Sequence, residues 1–379
     1  MLGFEGGYGR KAASGIAAFA QTRSHWILNL LDPDPSSAFS ACALGVERCD
    51  GLIIQANGDP WITGVLESGV PTVNVGPTWP DLMLPHVGVD NTAVGRLVAE
   101  HLIDLGLKQF AFVGTDVFSF SRERLAGFQD ELAGYGRGCE VCSGPSLQNE
   151  DGLATWMESL DKPLGICACS DSWGYRVLCA TRLAGIKVPE DLAVVGADDD
   201  GMLCRWSDPP LSSVPVRADE IGYRAAAQLD RLLGGEPVEE DVLLQPGLVA
   251  VRGSSDQYYV EDGDVARALT IMRERAGSGV CVEDLLREIG LSRRRLEQKF
   301  ESTLGISPGK VLTSMRVRRI KRLLLETGLT MKEIADEVGY ATPQHMSHVF
   351  RQAEGCSPSR YRTSFSISPS SAAPDRVFR

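Results

Sequence analysis

The 379-residue sequence has no uninterrupted apolar run of about 18 residues, the length a membrane-spanning helix needs. It holds only five histidines, and two of them, His345 and His348, fall in one short segment. Its ten cysteines include a single Cys-x-x-Cys pair, Cys139 and Cys142, and a Cys167-Ala-Cys169 step inside an apolar stretch. No second pair or neighbouring histidine completes a zinc set, so reduced, buried thiols are expected rather than a metal centre. A nucleophile elbow and a phosphate-binding loop are also absent. The glycine-rich start from Gly3 to Gly9 does not have the spacing of a nucleotide fingerprint. The first residues lack the basic start and apolar core of a signal peptide. Catalysis, a cofactor, a metal and a membrane partner are therefore not expected, and a cytoplasmic location is.

Positive charge is scarce too, with 38 Lys+Arg against 50 Asp+Glu and a net charge of −12. A uniformly acidic chain would be repelled by nucleic acid. The deficit is not uniform. Residues 264–362 carry 18 Lys+Arg and 12 Asp+Glu, whereas residues 1–263 carry 18 and 37. An acidic body with one basic end is the distribution expected when only that end meets phosphate.

The basic end contains one pattern twice. The first copy runs through Val282, Leu285, Ile289 and Gly290 to Leu296 and Phe300; the second runs through Met331, Ile334, Val338 and Gly339 to Met346 and Phe350. Apolar residues at this spacing give a short helix with one buried stripe. The glycine permits the left-handed turn that ends it. Ser292 and Thr342 can cap the next helix, and Pro343 suits a first helical turn. Each copy reads as a helix-turn-helix, whose second helix is commonly laid in the DNA major groove. One copy alone could be an ordinary helical hairpin; two in register point to a repeat.

If Leu296 and Phe300 face inward, Arg294 and Gln298 face outward, flanked by Arg293, Arg295 and Lys299. In the second copy Gln344, His348 and Arg351 face outward beside His345. Arginine can pair with guanine and glutamine with adenine, while the flanking cations can meet phosphates. Any one of these residues equally fits a solvated helix surface; the cluster carries the argument. Between the copies, Gly309–Thr327 reads as one long helix of roughly 27 Å. That approaches the ~34 Å between successive major-groove openings on one DNA face.

This repeat, the connecting helix and the ending Gly355-Cys-Ser-Pro-Ser-Arg-Tyr-Arg362 resemble the DNA-binding domain of the AraC/XylS family. Tyr340 supplies the aromatic that usually follows the second glycine. Ala341 and Thr342 stand where an acidic residue often follows, so no base preference is carried over.

The acidic body alternates short apolar runs with amphipathic helices, the pattern of parallel sheets covered on both faces. Strands are expected at Met1–Phe4, Trp26–Leu31, 51–55, 70–75, 87–90, 109–114, 139–143, 164–170, 192–197, 211–214 and 242–251. Helices are expected at 11–21, 61–68, 91–105, 121–134, 153–160, 173–184 and 217–233. Two successive lobes would place a cleft between them. The stretches Cys49-Asp-Gly-Leu-Ile-Ile, Val89-Asp-Asn, Arg124-Leu-Ala-Gly-Phe128, Ser170-Asp171, Val188-Pro-Glu-Asp-Leu-Ala-Val-Val-Gly-Ala-Asp198-Asp199 and Pro210-Leu-Ser-Ser-Val214 resemble the ligand domain of the LacI/GalR family. The resemblance implies crossovers between lobes, placed here near Leu105, Ser207 and Leu233. It also implies sugar-contacting roles for Arg124, Asp171 and Asp198. Carboxylates accept from sugar hydroxyls, arginine donates a planar fork, and aromatic faces cover the ring. Asp199, Tyr8, Asp90, Trp79 and Trp173 are further candidates, for which turn formation, capping or packing are the ordinary readings. Residues that distinguish one sugar from another are expected in the loops after Val75 and Thr115. Relative to that family, the first strand is cut to Met1–Phe4.

The expected fold is an α/β two-lobed periplasmic-binding-protein-like domain followed by an all-α double helix-turn-helix domain. The expected boundaries are 1–257 for ligand sensing and dimerisation and 258–379 for DNA binding, with a core at 264–362 and a flexible tail at 363–379. The pairing implies a transcription regulator, activator favoured, controlled by a small sugar such as xylose. Its implied partners are double-stranded DNA, the sugar, a second copy of the chain and RNA polymerase. The rival readings are a regulator whose body is only a dimer platform, and a cytoplasmic sugar-binding protein with no regulatory role.

Overall fold

The computed structural model describes residues 6–30, 46–56, 61–77, 83–142, 144–239, 241–260, 262–275, 279–354 and 356–365. The chain divides into two compact units, Met1–Gln257 and Tyr258–Arg379.

The first unit begins with α1 (Gly6–Ala20), β1 (Leu52–Ile54), α2 (Ile62–Ser68), β2 (Thr72–Asn74) and β3 (His86–Val89). It continues with α3 (Asn91–Asp104), β4 (Gln109–Val113), α4 (Ser119–Gly134), β5 (Glu140–Cys142), α5 (Glu150–Glu158) and β6 (Leu164–Ala168). It ends with α6 (Asp171–Leu183), β7 (Leu192–Ala197), α7 (Leu203–Trp206), β8 (Ser212–Val214), α8 (Ala218–Leu233) and β9 (Asp241–Leu244). Two parallel sheets result, in the orders β1-β2-β3-β9 and β5-β4-β6-β7-β8. The central strands β6 and β7 are buried throughout, as expected of parallel strands covered on both faces.

The lobes are not divided where the sequence suggested. Helix α3 packs on α4 and against β6, β7 and β8, so it belongs to the second lobe. The chain therefore crosses at Asp90, not near Leu105. It returns at residues 215–217, between β8 and α8, because α8 packs on α1 and across β1, β2 and β3. It crosses a third time after Leu244, where Pro246 and Gly247 interrupt the strand expected over 242–251. Ala250 then makes only an isolated antiparallel bridge to Ser213. The crossings placed near Ser207 and Leu233 are corrected accordingly.

Helix partners are chosen by reciprocal glycines. A Cβ on Gly95 would lie 1.9 Å from the Arg124 carbonyl oxygen, and one on Gly127 would lie 2.0 Å from that of Thr92. Bare backbone at both positions lets α3 and α4 cross in contact. Gly15 and Gly222 do the same for α1 and α8, against Asp219 and Ala12. The strand expected at Trp26–Leu31 is not formed over residues 26–30. Trp26 instead donates from Nε1 to Asp230 at 2.9 Å and sets its ring edge against Phe19. Helix α1 starts at Gly6, five residues earlier than expected. The strand expected at Met1–Phe4 lies outside the described residues.

The second unit is helical: α9 (Gly263–Arg275), α10 (Val282–Ile289), α11 (Arg293–Leu304), α12 (Pro308–Glu326), α13 (Met331–Glu337), α14 (Pro343–Glu354) and α15 (Pro358–Phe365). Gly290 and Gly339 have φ of 78° and 75°, the left-handed values that end α10 and follow α13. Thr342 Oγ1 accepts the His345 backbone N–H as a cap, but the Ser292 side chain makes no such bond. The repeat builds two separate cores. One gathers α9, α10 and α11 around Leu269, Leu285, Leu296 and Phe300; the other gathers α13 and α14 around Ile334, Met346 and Phe350. Helix α12 gives Val311 and Leu312 to the first core, and Val317, Ile320 and Leu324 to the second.

The glycine crossings can be tested by substitution. Gly127→Ala should lower the stability of the first unit by about 1–3 kcal/mol through overpacking. Gly134→Ala, in the last turn of α4 with open space around its Cβ position, should raise it by about 0.5–1 kcal/mol. Urea unfolding of both variants checks this; equal midpoints would show that the helices can separate at no cost.

Candidate ligand cleft and nucleic-acid interface

Because both sheets are parallel, the carboxyl ends of their strands gather on one side, where open α/β sheets bind ligands. Arg124, from the second turn of α4, reaches into this region and is only 4% exposed. Its Nη1 donates to the Cys169 carbonyl at 2.5 Å, past the end of β6. Nη1 and Nη2 lie 3.2 and 3.3 Å from Asp198 Oδ1, past the end of β7. Nε donates to Asn91 Oδ1 at 3.0 Å, and Asn91 in turn donates to Glu123 at 2.9 Å. The guanidinium also lies over the Phe120 ring, 5.1 Å from its centroid. A buried guanidinium demands partners on all sides, and here three elements and a ring supply them.

Asp198 and Asp199 have φ of 106° and 50°, positive values that non-glycine residues rarely adopt. Such strain persists only where surrounding groups enforce it. Lys11 of α1 does so from the other lobe, donating from Nζ to the Asp199 carbonyl at 2.5 Å and to that of Asp198 at 3.3 Å. Arg10 stands 3.7 Å from Asp200, and Gly7 lies so close that a Cβ there would be 2.1 Å from Asp200 Oδ2. The first turns of α1 thus close on the 198–200 loop. Tyr8, on the same turns, donates its hydroxyl to the Val75 carbonyl at 2.7 Å. Burial pushes its phenol pKa up, the Asp198 charge adds to the rise, and Arg124 opposes it. Burial also raises the Asp198 pKa, against the pull of Arg124 and Lys11.

Other expected contacts are occupied differently. Asp171 is 1% exposed, its Oδ1 accepting from the Ser213 hydroxyl and its Oδ2 from the Asp200 N–H, both at 2.6 Å. It braces the loop from beneath instead of presenting oxygens to the cleft, and the α6 cap is Ser170. Asp199 pairs with Arg252 at 2.6 Å, which ties the loop to the last residues of the first unit. Asp90 caps α3 through the Ala93 N–H and accepts from Gln245 at 3.2 Å, joining two crossings. Trp173 packs on the second-lobe core with Arg176 4.5 Å over its ring. Trp79 lies outside the described residues, as does most of the loop after Val75. Lys11, Asn91, Phe120, Ser213 and Arg252 were not singled out by sequence reasoning. Asn91 and Ser213 carried a signal only as members of the Val89-Asp-Asn and Pro210-Leu-Ser-Ser-Val214 stretches.

On the second unit, Arg294, Arg295 and Gln298 are exposed on α11, and Gln344, His345, His348 and Arg351 are exposed on α14. Among the described residues Arg294, Arg295 and Arg351 have no ion pair. Arg293 is shared between Glu283 at 3.1 Å and Glu297 at 3.3 Å, both solvated pairs. His345 sets its ring edge-on to Tyr340, centroids 5.3 Å apart. Lys299 departs from expectation: Asp262 and Asp264 hold its Nζ at 2.5 and 3.0 Å and raise its pKa. It anchors α11 to the start of α9 rather than standing free for phosphate.

Burial, with the nearby Asp198 charge, pushes the Asp171 carboxyl up to about 7, above its unfolded value near 3.9. Its protonated form stabilises the folded state. That contribution is complete below the unfolded value and is lost as pH rises through 7. The melting temperature of the first unit should therefore fall between pH 5 and pH 8. Asp171→Asn, whose amide oxygen can still accept the Asp200 N–H while its nitrogen donates to the Ser213 hydroxyl, should flatten the fall; an unchanged slope in calorimetry would reject this origin.

Two family models match the chain: a periplasmic binding protein-like domain over residues 99–255 and a helix-turn-helix domain over residues 285–364. The xylose operon regulatory protein of Haemophilus influenzae is 29% identical over 370 residues, covering 94% of this chain and 95% of that protein. Its counterpart in Escherichia coli K12 is 28% identical over 374 residues, covering 94% of each. A solved structure of a xylose-binding transcription activator superposes with a TM-score of 0.59 at 27% identity, covering 97% of this chain and 98% of that one. The order of the two domains, the duplicated helix-turn-helix and this end-to-end similarity lead to one assignment. The chain belongs to the AraC-type transcription regulators that carry a LacI-like, periplasmic-binding-protein-like sensor ahead of their DNA-binding domain.

Proposed function

We infer that the chain is a DNA-binding transcription regulator whose hold on a promoter is set by a small sugar, a pentose such as xylose, bound between the lobes of the first unit. The observation that carries this reading is the buried Arg124–Asp198 pair, whose loop Lys11 reaches from the other lobe. A planar donor beside an acceptor matches neighbouring sugar hydroxyls, each of which both donates and accepts. The Phe120 ring offers an apolar face beside them. Relatives named as xylose operon regulatory proteins support the choice of pentose.

A sugar here would take over bonds now made within the protein around the 198–200 loop. It can change the DNA grip only if it binds one arrangement of the lobes better than another. The route outward runs through Asp199 and Arg252, since Arg252 stands just ahead of the boundary at Gln257. We further read the protein as a cytoplasmic homodimer that activates transcription through RNA polymerase, and as a regulator without catalytic activity. The second reading, a first unit that serves only as a dimer platform, is favoured by one feature: Arg124 already has protein partners on every side. A sugar-binding protein with no regulatory role leaves the unpaired Arg294, Arg295 and Arg351 without purpose.

Two measurements separate these readings. Xylose at 100 times its dissociation constant should stabilise the protein by roughly 2.7 kcal/mol. Asp198→Asn should weaken xylose at least tenfold, about 1.4 kcal/mol. If no sugar in a panel shifts the melting temperature, the platform reading stands instead. On the DNA side, Arg294→Ala and Arg351→Ala should each cost about 1–3 kcal/mol of promoter affinity. Lys299→Ala should act mainly on stability; footprinting and thermal melts of the three variants distinguish the effects.

A further inference from the structure

Helix α12 changes allegiance along its length: Met315 packs against the first core of the second unit and Val317 belongs to the second core. The residue between them is Arg316. Its Nη2 donates to the Val280 carbonyl at 2.7 Å, and Val280 is a buried member of the first core. The same guanidinium lies 5.4 Å from the centroid of the Tyr340 ring, a buried member of the second core. Backbone closes on the same seam, where the Cβ position of Gly279 is 3.5 Å from the Gly339 carbonyl oxygen. Three residues along α12, Arg319 reaches Glu337 of α13 at 2.5 Å. Each helix-turn-helix has its own core, so one cationic side chain is held in common by two otherwise separate packings. A planar guanidinium suits this, donating in its plane while its face meets an aromatic ring.

We propose that Arg316 is a positioning residue that fixes the spacing and angle of α11 relative to α14, and so sets which separation of half-sites the two helices read together. The proposal rests on the DNA-binding reading above but not on the identity of the sugar. With Arg316 in place the two helices bind as one rigid ruler. Without it each helix-turn-helix keeps its core and its own half-site, but the two remain joined by α12 and a glycine contact. Adding one base pair between half-sites rotates one against the other by roughly 34° and moves it about 3.4 Å. A rigid ruler rejects that change and a loosened one tolerates it.

The test uses the full-length chain and duplexes that the unaltered protein selects from a random pool, with xylose present and absent. Affinity is then measured for the complete site, for each half-site alone, and for the complete site lengthened by one base pair. Arg316→Met should lose roughly tenfold on the complete site. It should stay within about threefold on each half-site, and should discriminate less than the unaltered chain against the lengthened site. Arg316→Lys keeps the charge but cannot donate in plane and cover the ring at once. It should show the same loss of spacing discrimination even if the methionine variant folds poorly. Equal losses on half and complete sites, or unchanged rejection of the lengthened site by the lysine variant, would overturn the proposal. If the unaltered chain selects no duplex, the DNA-binding reading fails first, and the inference falls with it.

Discussion

A guanidinium removed from water has to be surrounded, and the cleft of the first unit is organised by that requirement. Arg124 draws in the carbonyl of Cys169, the amide of Asn91, the carboxylate of Asp198 and the face of Phe120. Those groups come from the ends of two strands, the cap region of α3 and the helix that carries the arginine. Leaving a buried charge without its partner costs about 3–5 kcal/mol. The arrangement therefore favours one placement of the loop at 198–200, even though two of its residues hold unfavourable backbone angles. Lys11 reaches the same loop from the other lobe, so the charge that shapes the second lobe also decides where the first one closes.

The DNA-binding unit answers a different constraint. Among the described residues Arg294, Arg295 and Arg351 stand exposed on α11 and α14 without an ion pair, while the cations nearest the cores are committed. Lys299 is tied to α9, Arg319 to α13, and Arg316 to both helix-turn-helix cores. Charge is thus sorted by depth, with exposed arginines on the surface of α11 and α14 and inner cations holding the helices in place. The acidic excess of residues 1–263 confines attraction for phosphate to this end of the chain.

Much of this was legible in the sequence because periodic patterns report local structure directly. The doubled apolar stripe with its two turn glycines gave the helices, and the alternating runs gave nearly every strand. The stretches around Arg124 and Asp198 were readable too, and the structure brings these two side chains together. Less legible was anything set by partners far along the chain. The lobe crossings depend on which helix meets which sheet, and Gly95, Gly127, Gly15 and Gly222 decide that by allowing close contact, a property invisible to hydrophobic periodicity. Asp171 looked like a cleft residue until Ser213, 42 positions later, proved to hold it. Lys299 looked like a phosphate contact because Asp262 and Asp264 sit 37 and 35 positions earlier. Trp26 sits in a run that reads as a strand, yet its indole is claimed by Asp230 on α8.

The three crossings between lobes, at Asp90, at residues 215–217 and after Leu244, all fall outside helices and strand ladders. Motion of one lobe against the other is thereby confined to backbone dihedrals at these crossings, which hydrogen bonds from Asp90 N–H to Leu244 and from Gly247 N–H to Pro215 tie to one another. A sensor hinged in this way responds as two solid halves. Substitutions that retune what its mouth accepts need not disturb the joint on which it opens.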